Sequence, residues 1–182
     1  LCDQNDFDLK LLAFHSLAWQ LTLLRFMRAN KWVVADCIEG IREALRWRTD
    51  TVGMQELRTM KDEDVLGVPF FNLHQYYHHW HSGYDNLGRP VIYRGYRTFD
   101  AVQILQQTTE QCIERYFGWE QELHMAISRK HSLESGFIVE TAINILDLDG
   151  MSMGQVSSDF LKLLRLSADV GKVHYPETLG KL

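Results

Sequence analysis

A chain of 182 residues that is 46% hydrophobic and 12% aromatic can bury a sizeable core, as one domain or as a small helical unit packed on a larger one. Its formal charge of -5 leaves no surplus of Lys and Arg for a phosphate-binding surface, which excludes nucleic acid as the main partner. No apolar run reaches the length of a membrane span, and Cys2, Cys37 and Cys112 are odd in number without short spacing, so a soluble protein of a reducing cytosol is expected.

In chain order, Leu1 to Asp8 lacks the basic-then-apolar pattern of a secretory signal, and the absence of an initial Met points to trimming. From Leu9 a helix is predicted, with Leu17, Leu21 and Leu24 at helical spacing beside Arg25 and Arg28, until Asn30-Lys31-Trp32 interrupts it. A second helix carries Val34, Ile38, Ile41 and Leu45, with Asp36 in its first turn and Arg46 and Arg48 in its last, and should pack on the first as a hairpin. Thr49 to Val68 shows no firm period. Pro69 then closes a predicted helical N-terminal subdomain, residues 1–69, ahead of an α/β core over residues 70–182.

Aromatic and histidine residues crowd between Phe70 and Tyr84, and Asp85-Asn86-Leu87-Gly88-Arg89-Pro90 reads as the turn of a β-hairpin leading into Val91-Ile92-Tyr93. Asp100 with Gln103, and Thr108 with Gln111, fit helix starts. The second of these helices is long, with Ile113, Tyr116, Leu123 and Ile127 as its apolar stripe, and runs to about His131. Ile143 to Gly150 is apolar on both faces and ends in an acidic turn, the pattern of a strand buried between two helical layers. Ser157 or Ser158 starts a further helix with Phe160, Leu163, Leu164 and Val170. Strands alternating with long helices behind a helical front half predict a mixed α/β fold, helices packed on the sheet.

Several polar residues stand out. The Asn144 amide in the central strand is either satisfied by neighbouring backbone or faces a cavity. Asp147 and Asp149 read as a polar strand exit rather than a metal or acid/base couple. His74 and His78 would share a helix face, and His79 and His81 a strand face, so either pair can be imagined on zinc, iron or haem. No carboxylate or cysteine completes a motif there, and no metal site is expected. No nucleophile with a base, phosphate loop or dinucleotide fingerprint is visible, so an enzyme is not expected.

Leu23-Leu24-Arg25-Phe26-Met27-Arg28-Ala29-Asn30-Lys31-Trp32 with Trp47-Arg48, then Gly88-Arg89-Pro90-Val91, Val139-Glu140-Thr141, Ile145-Leu146-Asp147-Leu148-Asp149-Gly150 and Tyr175-Pro176-Glu177-Thr178-Leu179-Gly180-Lys181 follow in an order and at separations that resemble the CRAL-TRIO lipid-binding family. Its best-known members are fungal phosphatidylinositol/phosphatidylcholine transfer proteins. The resemblance runs from about Leu17 to the last residue. It implies a helical N-terminal subdomain on a mainly parallel, helix-flanked sheet that floors an apolar pocket for one lipid, with a mobile gating helix and no chemical step.

It also implies a phosphoinositide headgroup site at Lys31 and Glu177, with Asn30 standing where arginine is usual. That exchange removes a bidentate phosphate donor. Ala142, Asn144, Gln121 and Gly171 fall at pocket positions that contact phosphatidylcholine in the transfer proteins, where hydroxyl residues, tyrosine and serine are usual, which disfavours phosphatidylcholine. The family continues past the Tyr-Pro-Glu motif with a strand, the gating helix and another basic residue, whereas this sequence stops at Leu182. The chain is then truncated, the ordered part of a longer one, or without its gate, and an incomplete pocket invites self-association. The resulting expectation is a cytoplasmic, peripherally membrane-associated, non-enzymatic phospholipid-transfer domain without a cofactor, touching the membrane surface transiently and taking phosphatidylinositol. The alternatives are another hydrophobic ligand (a sterol, a tocopherol-like molecule or haem) or a protein-interaction scaffold that has lost ligand exchange.

Overall fold

The structure is a computed structural model that describes residues 18–51 and 53–182. The readings made for Leu1 to Asp8, for Cys2 and for the helix from Leu9 through Leu17 lie outside the described residues. Helices α1 (Ala18–Ala29) and α2 (Val34–Arg46) pack against each other through Phe26, Cys37, Ile41 and Ala44. The buried stripe keeps Ile41 of the predicted one but otherwise falls one residue earlier, on Cys37 and Ala44, leaving Val34 46% exposed. Between the helices, Lys31 and Trp32 both take left-handed backbone (φ 52° and 66°), held by amide bonds from Lys31 to the Arg28 carbonyl and from Trp32 to that of Met27. Arg48, expected in the last turn of α2, instead lies on the π-helical turn Trp47–Thr51 and is buried.

Three short helices follow: α3 (Met54–Leu57), α4 (Asp62–Leu66) and α5 (Phe70–His74). The predicted hairpin forms from β1 (His78–Tyr84) and β2 (Pro90–Gly95), which run antiparallel. Local chemistry explains its turn: the Asp85 carboxylate accepts the amides of Leu87 and Arg89 at 3.0 and 2.8 Å, and Gly88 supplies a φ of +74°. Gly88 is also a point of close approach, since a Cβ there would lie 2.4 Å from His131 Nε2.

Helix α6 (Ala101–Gln107) is capped by Asp100, whose side chain accepts the Gln103 amide as predicted. The long helix α7 (Glu110–Ser135) starts one residue later than expected. Thr109, not Thr108, accepts the Cys112 amide, because the Thr108 hydroxyl donates to the Leu66 carbonyl at 2.6 Å. It also runs past His131 to Ser135, where Gly136 closes it in left-handed backbone, and its predicted stripe fails at Leu123, which is exposed.

Strand β3 (Ala142–Asp147) runs parallel to β2 and to the short β4 (Leu179–Lys181), giving a four-stranded sheet in the order β1-β2-β3-β4. Helix α8 (Ser158–Asp169), capped by Ser157, links β3 to β4 through the π-helical turn Val170–His174. The fold is thus α/β, a mostly parallel sheet flanked by helices. One expectation is corrected here: β3 is not buried on both faces, since Ile145 and Leu146 are 43% and 36% exposed. β4 pairs with β3 only at Ala142 and Ile143, so among the described residues the second half of β3 has no strand neighbour on that edge. The main core joins Trp47, Leu57, Val65 and Leu66 to Leu73, Phe99, Ile113, Phe117, Phe160 and Tyr175.

Candidate functional site

A partly open cavity of about 510 Å³ lies among the sheet and helices α5 to α8. That volume falls within the roughly 300–1,000 Å³ of small-molecule sites. Alternate residues of β3, Ala142, Asn144 and Leu146, form its floor as the two-residue strand period requires. Phe70, Ile104, Phe117, Phe160 and Leu163 supply apolar walls. Leu164, Leu179 and Leu182 line it too yet are solvent-exposed, so apolar side chains stand at its mouth.

One wall is polar. Arg94, on β2 opposite Leu146, donates to Glu120 at 2.8 Å and also to the Tyr77 hydroxyl. His79 Nε2 lies 2.6 Å from the Tyr116 hydroxyl and 3.5 Å from Glu120 Oε1, but that second approach is too poorly aligned for a hydrogen bond, and Glu120 Oε1 has none. Burial alone would raise the Glu120 carboxyl; Arg94 foremost, with His79 and His124, overrides it and brings the pKa to about 2. Burial holds His124 down at about 4 despite the opposing pull of Glu120, so its ring is neutral at pH 7. Among the described residues no group of three or more His, Cys, Asp or Glu gathers as a metal site. His74 and His78 simply lie ring against ring at 4.9 Å. Asp147 accepts from the Tyr93 hydroxyl and from the Asp149 amide, and Asp149 pairs with Arg97 at 2.7 Å.

A second polar cluster lies on another face of α7, where Glu114, Gly118 and Glu122 recur at helical spacing. The Trp47 indole donates to Glu114 at 2.6 Å and stacks on His174 at 4.1 Å. The buried Arg48 guanidinium lies 4.4 Å from the Tyr175 ring centre and 3.6 Å from Glu122. Arg58 and the Tyr175 hydroxyl donate to the two Glu122 oxygens at 2.9 and 2.8 Å. Tyr175 also lines the cavity, so the segments Trp47-Arg48 and Tyr175-Pro176 meet on α7 directly behind the cavity wall.

Against this geometry, a family model described as the CRAL/TRIO domain matches residues 74–182. The chain belongs to the CRAL/TRIO domain family. Its curated relatives include SEC14 cytosolic factors of Kluyveromyces lactis and Candida glabrata, 30% and 31% identical over 88% of this chain and 52% and 51% of theirs. A phosphatidylinositol/phosphatidylcholine transfer protein of Arabidopsis thaliana is 27% identical over 88% of this chain and 29% of its own length. The chain spans about half the length of the first relatives it matches.

Within this CRAL/TRIO chain the residues singled out from sequence separate into two places. Ala142, Asn144, Gln121, Gly171 and Glu177 all line the cavity. Asn144 resolves toward the cavity rather than toward backbone, since its buried Oδ1 has no hydrogen-bond partner. Lys31 and Asn30 are not among the described lining residues. Lys31 is exposed in the α1–α2 turn, and the Asn30 amide donates to the Phe26 carbonyl at 2.9 Å. Glu177 shares with Lys31 a left-handed backbone, at φ 60°. Sequence reasoning did not find Arg94, Glu120 and His124. The one available signal was the spacing of Glu120, Gln121 and His124, which puts polar groups on a single face of a long helix; their partner Arg94 comes from β2.

Proposed function

We propose that this chain is a non-catalytic lipid-binding domain that takes one phospholipid, phosphatidylinositol, into the cavity for transfer between membranes. The observation that carries the reading is the cavity: an apolar chamber with an exposed leucine rim and a few polar groups on one wall. Acyl chains would supply most of the affinity, at roughly 0.8 kcal/mol per buried methylene. In this reading Glu177 at the cavity and Lys31 and Asn30 in the α1–α2 turn act on the headgroup, and Ala142, Asn144, Gln121 and Gly171 disfavour phosphatidylcholine. Relatives named as phosphatidylinositol/phosphatidylcholine transfer proteins support it.

No helix among the described residues is long and apolar enough to cross a membrane. Contact in this reading is peripheral, made at the leucine rim by a cytoplasmic protein, and no cofactor takes part. Native mass spectrometry of the purified protein should show one bound phospholipid, and vesicle assays should show its transfer; an empty protein that moves no lipid overturns the reading. Asn30→Arg, which restores a bidentate donor, should tighten phosphatidylinositol binding by about tenfold, and no change would remove Asn30 from the headgroup site. The exposed rim also favours a second use, pairing of two copies mouth to mouth, which sedimentation would show as a dimer dissociated by lipid.

A further inference from the structure

The connection from β3 to α8, residues 148–157, contains two glycines and two serines, and none of its residues is fully buried. Met153 is 85% exposed, and Met151 is the apolar residue that reaches the main core. A segment with so little packing opens locally at small cost unless polar bonds fasten it. One side chain does so. Gln155, on the 3-10 turn Met153–Gln155, donates from Nε2 to the carbonyls of Tyr96, Arg97 and Phe99 at 3.0, 3.1 and 3.0 Å. Its Oε1 accepts the Ser152 amide at 2.6 Å. All three carbonyls belong to the connection from β2 to α6, and three acceptors meet at one point only because an amide donor stands among them. The Arg97–Asp149 ion pair spans the same gap, but both partners are exposed, and such pairs contribute little.

What the clasped connection holds is part of the cavity. Tyr96 and Phe99 line it, and their rings lie 6.1 and 5.3 Å from that of Phe160 on α8, another lining residue. We propose that Gln155 is the clasp of a strap, residues 148–157, that keeps Tyr96 and Phe99 in place as an end wall of the cavity, and that its release opens a second way out of the chamber. This exit lies where β2 and β3 end. The leucine rim is elsewhere: Leu179 pairs with Ala142, at the start of β3. Gln155 is not among the lining residues and acts through Tyr96 and Phe99, as a positioning residue. Opening the strap breaks the bonds of a single side chain and uncovers little apolar surface, so it costs far less than unfolding an element.

The exit rests on the lipid-binding reading above, whereas the clasp is tested without lipid. Gln155→Met keeps the length of the side chain without its bonds, and Gln155→Glu keeps its size but replaces the donor by an acceptor, so each serves if the other does not fold. Both should speed amide exchange in residues 96–99 and 148–157 by about tenfold and leave the β2–β3 amides and the urea midpoint unchanged. Pyrene-labelled phosphatidylinositol, loaded into the protein, should leave either variant about tenfold faster than the unaltered chain, with equilibrium uptake altered by less than about twofold, because an opened exit speeds entry and departure alike. Unchanged amide exchange in the two segments overturns the clasp. Faster exchange there with unchanged release overturns the exit, and faster exchange in every element with a lowered urea midpoint reduces Gln155 to a general stabiliser and overturns both. If the unaltered chain takes up no labelled lipid, the lipid-binding reading falls and the exit with it, while amide exchange still decides the clasp.

Discussion

Glu120 and Glu122 stand two residues apart on α7, both buried, and meet opposite fates. Two residues turn a helix by about 200°, so the carboxylates face different sides. Glu122 looks toward the N-terminal helices with both oxygens engaged, by Arg58 and by Tyr175, beneath the Arg48 guanidinium. Glu120 looks toward the sheet, where one oxygen accepts from Arg94, itself a cavity-lining residue, and the other has no hydrogen bond; on the cavity floor Asn144 Oδ1 is likewise unpartnered. On the side of α7 that holds elements together both Glu122 oxygens are engaged and only His174 Nδ1, against Trp47, is left unpaired there, whereas on the sheet side Glu120 keeps one oxygen free. A packed interface gains from complete pairing, whereas a binding wall must leave something for its ligand.

The largest expected effect breaks the paired side. Glu122→Ala withdraws the carboxylate shared by Arg48, Arg58 and Tyr175 and should cost about 3–5 kcal/mol in urea unfolding. A loss below about 1 kcal/mol would mean the cluster contributes nothing beyond packing.

Acid titration sharpens the cavity side. His124 is depressed from 6.5 to about 4, so above pH 6.5 the fold is unpenalised, and as pH falls toward 4 the unfolded chain takes a proton that the buried ring refuses. Stability should drop by on the order of 3 kcal/mol across that window. The Glu120 contribution, with its pKa lowered from 4.5 to about 2, is present above pH 4.5 and lost only as pH falls from there toward 2. Because His174 is depressed likewise, to about 4, His124→Leu should remove only its own share of the loss in the upper window, and a profile between pH 6.5 and 4.5 no shallower than that of the unaltered chain would contradict the assignment. The smallest effect is expected at Asn144→Leu, which removes an amide that already lacks a partner and should change stability by less than about 1 kcal/mol, in either direction. A loss above about 2 kcal/mol would show the amide to be engaged.

What the sequence disclosed about this molecule was local. The hairpin was legible because Asp85, Gly88 and Pro90 carry their own turn chemistry, and the α6 and α8 caps because Asp100 and Ser157 bond amides three residues on. Where a distant residue competes for the same group, the reading slipped. Thr108 lost its cap role to Thr109 because Leu66, 42 positions away, takes its hydroxyl. The stripe on α2 shifted to meet Phe26, and the middle of α7 buries Glu120, Glu122, His124 and Ser128, which no apolar period marks, the two glutamates meeting cations from β2 and from the N-terminal region. At the site, the floor positions on β3 were legible because strand alternation places them. The polar wall was not, since its pattern exists only after α7 and β2 have docked.

Tyr175 belongs to both sides at once. Its ring lies beneath Arg48 and against Trp47, its hydroxyl engages Glu122, and it faces the cavity. In the lipid-binding reading, loading the chamber would press on a residue shared with the helical front of the molecule. A displacement of that ring would be felt first at Arg48, on the π-helical turn that follows α2, so helices with no direct view of the cavity should respond to whether it is full. Amide exchange in the α1–α2 hairpin, compared between filled and emptied protein, would make that distant grip visible.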